Sequence, residues 1–301
     1  MLQKILSIVL IVGLVFIWSA CQDTTTEPTK TKLQSVTSIK AFSVSNTSVG
    51  LKWTKSTDES KADFLNYYLK AKNPDGTTTK ELTITKGTDS VIVTSLTNGI
   101  IYTFEVISKV TTSSTNYIDS DPATIKWSPA WRFDTEGQIP IQVYERTSPV
   151  GYASGLIFYY LQTGQPKTVS LLSADSSHID VFVDSKGASN VALSSSHLYR
   201  SNRKITRFSN FYRNSETLNN PQDAPPDTTT YTSFEFLVDS VATTSSRIYY
   251  FKGVNGNYGR ILVIRNPSNG TLIWGSSPEQ YLKLKLSYQS VAYNPYSKKS
   301  Y

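Results

Sequence analysis

The stretch HLYRSNRKITRFSNFYR, residues 197–213, is the strongest candidate in this chain for a ligand-contacting surface. Arg200, Arg203, Lys204, Arg207 and Arg213 occur there with no acidic residue between Asp184 and Glu216, and Tyr199, Phe208, Phe211 and Tyr212 are interleaved among them. A guanidinium offers a planar fork of donors to an anion and also stacks on aromatic faces. The set Arg200, Arg203, Lys204, Arg207, Phe208, Phe211 and Tyr212 therefore suits an anionic, flat or ring-shaped ligand: a sugar acid, a porphyrin carboxylate or an acidic surface polymer. The competing reading is a basic, solvated strand pair whose aromatics point into a core.

Other residue types with chemistry are few. The chain has one cysteine and two histidines, His178 and His197. With no H-E-x-x-H and no C-x-x-C, a catalytic zinc lacks a ligand set. Asp58, Glu59 and Asp63 lie close enough in sequence to hold Ca²⁺, but D-E-S-K-A-D lacks the alternation and the glycine of a dedicated loop, so a solvated acidic loop accounts for it better. Trp127 and Trp131, four residues apart across Pro129, either stack on a sugar ring or seal a seam between domains. YASGL is not G-x-S-x-G, and no phosphate-binding or dinucleotide loop occurs. The expectation is a protein that is not an enzyme and carries no cofactor, with a glycan-acting enzyme as the remaining catalytic reading.

Cys21 follows Ser19-Ala20 and an apolar run from Ile5 to Ile17 flanked by Lys4. The run is too short to span a bilayer comfortably and has the form of a secretory signal. Small residues before a cysteine resemble a bacterial lipobox, with Trp18 departing from the usual aliphatic residue. The resemblance implies that Cys21 is the lipidated first residue of the mature chain; an uncleaved anchor and ordinary signal cleavage are the alternatives. Several acyl chains, at about 0.8 kcal/mol per buried CH₂, make a stable membrane anchor. Gln22 after the cysteine implies the outer membrane under the enterobacterial sorting rule. The formal charge of +7 is a modest excess over so many residues, so nucleic acid is not an expected partner.

The elements that must position these residues are strands. No long segment repeats apolar residues at helical spacing, whereas short alternating runs separated by Gly, Pro and Asn recur throughout. The chain reads as all-β: a signal at 1–20, a flexible tether at 21–34, a first sandwich at 35–128, a hinge at 129–140, a second antiparallel β-rich domain at 141–292 and a tail at 293–301. Strands are expected at 38–45, 48–56, 64–72, 80–85, 89–96, 101–110 and 122–127. In the second domain they are expected at 141–146, 155–163, 168–173, 178–185, 232–240, 247–253, 258–265 and 280–290, with a hairpin turning at Asn255-Gly256-Asn257. The Pro- and Thr-rich run between Asn214 and Tyr231 reads as a lid or a disordered insertion.

Residues 35–128 resemble a fibronectin type III domain. Trp53 in LKW, Tyr68 in YYLKAK and the tyrosine-corner pattern SLTNGIIYTFEVIS, with Leu96 six residues before Tyr102, carry the resemblance. It implies that Trp53, Tyr68 and Tyr102 are core and corner residues and that the domain is a spacer or adhesive module. Parts of the second domain, LIFYYLQTGQ, HIDVFVD and NGNYGRILVI followed by YLKLKLSYQ, resemble HmuY-like haem-binding lipoproteins. That resemblance implies axial ligation of haem iron, for which only His178 and His197 are available as imidazoles. The expected function is a lipid-anchored cell-envelope interaction protein. In it a fibronectin type III spacer presents a β-rich domain to an anionic glycan, haem or an envelope protein.

Overall fold

The alternation in FLNYYLKAK points inward at Phe64, Tyr67, Leu69 and Ala71. These side chains lie in the first core of the computed structural model, which describes residues 29–133, 140–187, 189–218 and 230–292. The strands around that core are β1 (Thr31–Lys32), β2 (Thr37–Ser45), β3 (Ser48–Thr54), β4 (Phe64–Lys72), β5 (Thr78–Thr85), β6 (Ser90–Val93), β7 (Tyr102–Val110), β8 (Tyr117–Ile118) and β9 (Ala123–Trp127). A sheet ordered β2-β3-β6 faces a sheet ordered β5-β4-β7-β9, and β1 adds a short parallel pair with β8. Leu51 and Trp53 point inward together, and the Trp53 ring meets Tyr67 edge-on at 5.8 Å.

Two expectations change here. Tyr67, not Tyr68, is the core tyrosine: a register irregularity between Phe64 and Asn66 resets the alternation, leaving Tyr68 half-exposed with Lys70 and Lys109 near its ring. The tether expected over 21–34 gives way to the domain sooner, since β1 is paired and Leu33 and Val36 are buried in the core. A single leucine in a polar run has no periodicity to announce it. Tyr102 is where the corner pattern puts it, buried, with its hydroxyl accepting the Thr97 N–H at 2.9 Å beside buried Leu96.

The second sandwich is built from β10 (Trp131–Phe133), β11 (Ile141–Tyr144), β12 (Gly155–Tyr160), β13 (Gln165–Val169), β14 (Val181–Ser185), β15 (Val191–Ser195), β16 (Thr206–Asn214), β17 (Tyr231–Ser233), β18 (Glu235–Val238), β19 (Arg247–Gly253), β20 (Tyr258–Val263) and β21 (Tyr281–Tyr288). A sheet ordered β10-β21-β20-β19-β16-β17, with β11 also on β21, covers a five-stranded sheet ordered β13-β12-β14-β15-β18. Inward side chains of both sheets, among them Phe158, Val183, Leu193, Phe251, Ile261 and Leu284, fill the space between them. β10, β15 and β16 lie outside the expected strands, β10 and β15 because they are short and β16 because its alternation is broken by a register irregularity, and the strand expected at 168–173 sits at 165–169.

The expected hinge thus begins as a strand. Trp127 is buried in the first core and donates to Ser43 Oγ at 3.0 Å, while Trp131 stacks on Phe133 and packs on Tyr159 at 5.4 Å. Arg132 donates back to the Ser43 carbonyl at 3.0 Å, and Gln289 donates to the Pro129 carbonyl at 2.9 Å. The tryptophan pair seals the seam. Cys21, the whole expected signal at 1–20, residues 22–28 of the tether, 134–139 of the hinge, 219–229 of the expected lid and the tail from 293 lie outside the described residues. Among the described residues no helix is long and apolar enough to cross a membrane.

Candidate ligand-binding site

Most of the basic, aromatic stretch forms the entry to β16 and β16 itself, and alternation with a bulge distributes its side chains. β16 pairs with β19, with a register irregularity between Phe208 and Tyr212. Phe208 is fully buried between the sheets, edge-on to Phe236 at 5.5 Å, so it belongs to the core and not to a ligand surface. Phe211 lies on the outer face, stacked on Tyr250 at 6.3 Å, with the Arg213 guanidinium 5.1 Å from its centre. Tyr212 is exposed, against Tyr249 at 5.8 Å and beneath Arg247 at 4.8 Å.

The cations separate in the same way. Arg203 is buried, donates to the Leu171 carbonyl at 2.6 Å and lies 4.8 Å over the Tyr199 ring, a structural post for the 170–173 loop. Arg200 is exposed near the same tyrosine, at 5.8 Å. Lys204 turns toward Asp180, which it meets at 3.0 Å. Arg207 stays exposed, 4.7 Å over the Phe234 ring. The seven residues grouped in the sequence do not share one surface.

Arg207 finds different company. It is set opposite Lys252 in the β16–β19 ladder, and both line a recess of about 570 Å³ with Ile205, Tyr231, Val254 and Tyr258. No carboxylate lines this recess among the described residues. Like charges directly opposite on paired strands destabilise each other, and an anion seated between them relieves that repulsion. The tyrosines stand edge-on at 5.4 Å, Lys252 lies 5.6 Å from the Tyr258 ring, and burial beside Tyr258 and Tyr250 holds the Tyr231 phenol well above its ordinary range. Lys252, Tyr231 and Tyr258 come from the far side of residue 230 or from another strand, so no spacing rule within 197–213 pointed to them.

His197 reports on the same field. Its Nδ1 meets Ser195 Oγ at 2.8 Å and its ring packs on Phe234 at 4.5 Å; burial, and then Arg207, hold its imidazole below the ordinary histidine value. His178 is exposed at the end of the 3-10 turn Ala174–His178 and lines a different cavity. Nothing in the geometry joins the two imidazoles as an axial pair. No cluster of metal-ligating side chains occurs among the described residues.

Residues 34–126 match the family described as Fibronectin type III domain. That segment is a fibronectin type III domain. No curated protein matches the chain. Among solved structures, a two-domain fibronectin type III segment of chicken tenascin is 14% identical, with 73% of this chain and 90% of that chain covered and a TM-score of 0.27. A fibronectin type III domain of human collagen XX is 20% identical over 32% of this chain and 95% of its own, with a TM-score of 0.24. Domains d3-d4 of rat CD45 are 18% identical, with 34% of this chain covered, a TM-score of 0.27, and about half of the CD45 chain spanned, 51%.

Within the fibronectin type III domain the carboxylates of the acidic loop are taken up by neighbouring backbone and side-chain groups. Asp58 accepts the Gln34 N–H at 2.8 Å and pairs with Lys61 at 3.1 Å, Glu59 accepts the Gly87 N–H, and Asp63 accepts the Ser114 hydroxyl at 3.2 Å. The three carboxylates share no partner, an arrangement that stitches loops and does not converge on a cation.

Proposed function

We propose that this chain is a lipid-anchored cell-envelope interaction protein, in which the fibronectin type III domain is a spacer and the C-terminal sandwich binds an anionic, ring-bearing ligand. The observation that carries the reading is the opposition of Arg207 and Lys252 across paired strands, beside Tyr231 and Tyr258, in a recess whose described lining has no carboxylate. Two cations give an anion charge-assisted hydrogen bonds, and the phenol rings give its ring a face to lie on. Charge and ring contact are what these groups offer a ligand. The lipobox-like Ser19-Ala20-Cys21 supports attachment through Cys21, and Gln22 after it is the feature that favours the outer membrane. A haem-carrying reading, after the HmuY-like resemblance, reaches this recess only through porphyrin carboxylates, because the imidazoles do not converge on it.

Polygalacturonate, a polymer of sugar acids, is the probe, with uncharged dextran as the control. In affinity electrophoresis the wild-type chain should be retarded by polygalacturonate and not by dextran, and retardation should weaken as salt rises. Arg207→Glu with Lys252→Glu should abolish it with little change in melting temperature, since Arg207 is exposed and Lys252 half-exposed. Retardation that survives the double substitution rejects the recess as the site. Cys21→Ser should move the protein from the membrane to the soluble fraction; unchanged partition would make the apolar segment itself the anchor.

A further inference from the structure

The β19–β20 turn, Gly253–Asn257, is a wall with a cavity on each side. Gly253 and Val254 face the basic recess, whereas Asn255 and Asn257 line a second cavity of about 580 Å³, a size typical of small-ligand pockets. This second cavity opens at the end of the sandwich nearest the fibronectin type III domain. Tyr159 in its wall packs on Trp131 at 5.4 Å, and Ser290 at its rim accepts from the Asn98 side chain at 3.3 Å.

Its walls differ in kind from those of the basic recess. Tyr159, Tyr160 and Tyr288 are half-exposed rings. Tyr288 is held by stacking on Phe251 at 6.2 Å, and that ring lies across Gly259, where a Cβ would collide with it. Between the rings stand polar groups of both signs, already oriented. Asp180 accepts from Lys204 Nζ at 3.0 Å and from the Phe158 N–H at 2.8 Å. Asp175 accepts from Lys167 at 2.7 Å and from the Tyr160 hydroxyl at 3.3 Å. Asn255 is exposed at the mouth.

Each carboxylate oxygen has two lone pairs and each ammonium three protons, so these contacts leave acceptors and donors side by side with their charges locally balanced. An anion entering here meets two carboxylates. An apolar ligand strips water from oriented polar groups and returns no hydrogen bonds, which is costly. A polyol satisfies both requirements: every hydroxyl donates and accepts, and the C–H faces of a pyranose ring lie on the tyrosines. We propose that this cavity binds a neutral saccharide, one or two pyranose units deep, as a site separate from the basic recess and independent of it.

The full chain should be titrated with cellohexaose, xylohexaose, mannohexaose and maltohexaose, with saturation-transfer NMR to detect contact and calorimetry to measure affinity. At least one hexaose should bind, and Tyr160→Ala and Asn255→Ala should each weaken it by roughly tenfold or more. Arg207→Glu should leave it unchanged. Asn255 is exposed, so its variant keeps the test open even if Tyr160→Ala unfolds, and the melting curve of each variant checks that. Absence of binding to every hexaose at millimolar concentration overturns the proposal, as does binding that ignores both substitutions. If polygalacturonate retention were lost in Asn255→Ala, the neutral ligand class would be wrong.

Discussion

The two sandwiches use similar residue types to different ends. In the fibronectin type III domain, cations and carboxylates meet across the surface: Lys72 with Glu105 at 2.6 Å, Lys32 with Asp121 at 2.6 Å, and Lys109 with Asp119. Exposed pairs of this kind stabilise little, and the β2–β3 ladder also sets Lys40 opposite Lys52. In the C-terminal sandwich Arg207 and Lys252 stand opposite each other, and two cavities flank one turn. Ion pairs and opposed cations occur in both, Lys204 with Asp180 and Lys167 with Asp175 among the pairs of the second; what differs is that Arg207 and Lys252 line a recess with Tyr231 and Tyr258 beside them.

The largest effect that would break this comparison lies in the fibronectin type III domain. Trp53→Ala should cost about 3–5 kcal/mol, since the indole is buried against Tyr67. That is a large share of the roughly 5–15 kcal/mol that holds a domain together. A fragment spanning 29–133 that melted like its parent after the substitution would mean that the packing around β3 is wrong.

A middle-sized effect sharpens the contrast within the C-terminal sandwich, between two arginines four residues apart. Arg203→Glu should destabilise by about 1–3 kcal/mol, because the buried Leu171 carbonyl loses its donor and a carboxylate takes the place of a guanidinium. Arg207→Glu, on an exposed side chain, should leave the denaturant midpoint nearly unmoved. Equal midpoints in the two variants would show that the 170–173 loop does not rest on Arg203.

The smallest effect is a titration. His197 is held below the ordinary histidine value by burial and then by Arg207. Because the fold favours the neutral ring, the stability tied to it is complete above that ordinary value. It is lost as pH falls from there toward the lower folded value. In Arg207→Glu the His197 midpoint followed by NMR should move upward. A midpoint that stays in place would mean that the cationic field of the recess does not reach the ring.

Much of the first domain was legible because its strands are long and one-sided. Residues 64–72 alternate strictly after the irregularity at Phe64–Asn66, and the corner sequence from Leu96 to Tyr102 stays within one local turn. Two tyrosines in a row offer no local means of choosing the core residue; the bulge between Phe64 and Asn66 turns Tyr67 inward. The candidate site was legible only in Arg207, whose partners Lys252, Tyr231 and Tyr258 lie on other strands. Charge density along 197–213 pointed to the region but did not separate the buried Arg203 and Phe208 from the exposed Arg207.

Alternation, turn residues and the scarcity of Cys and His determined by themselves that this is an all-β chain, that residues near 35–128 form a fibronectin type III domain, and that thiol- or imidazole-rich metal sites have few residues to build on. Those properties are local, because a strand's inward face is set by its own period of two. Which cations oppose each other, which carboxylates find an ammonium, and which rings wall a cavity depend on strand order and register. Residues more than forty positions apart, such as Arg207 and Lys252, become neighbours only when β16 pairs with β19. Register decides which partners each side chain meets, so the tertiary structure alone assigned Phe208 to the core, Lys204 to Asp180 and Arg207 to the recess.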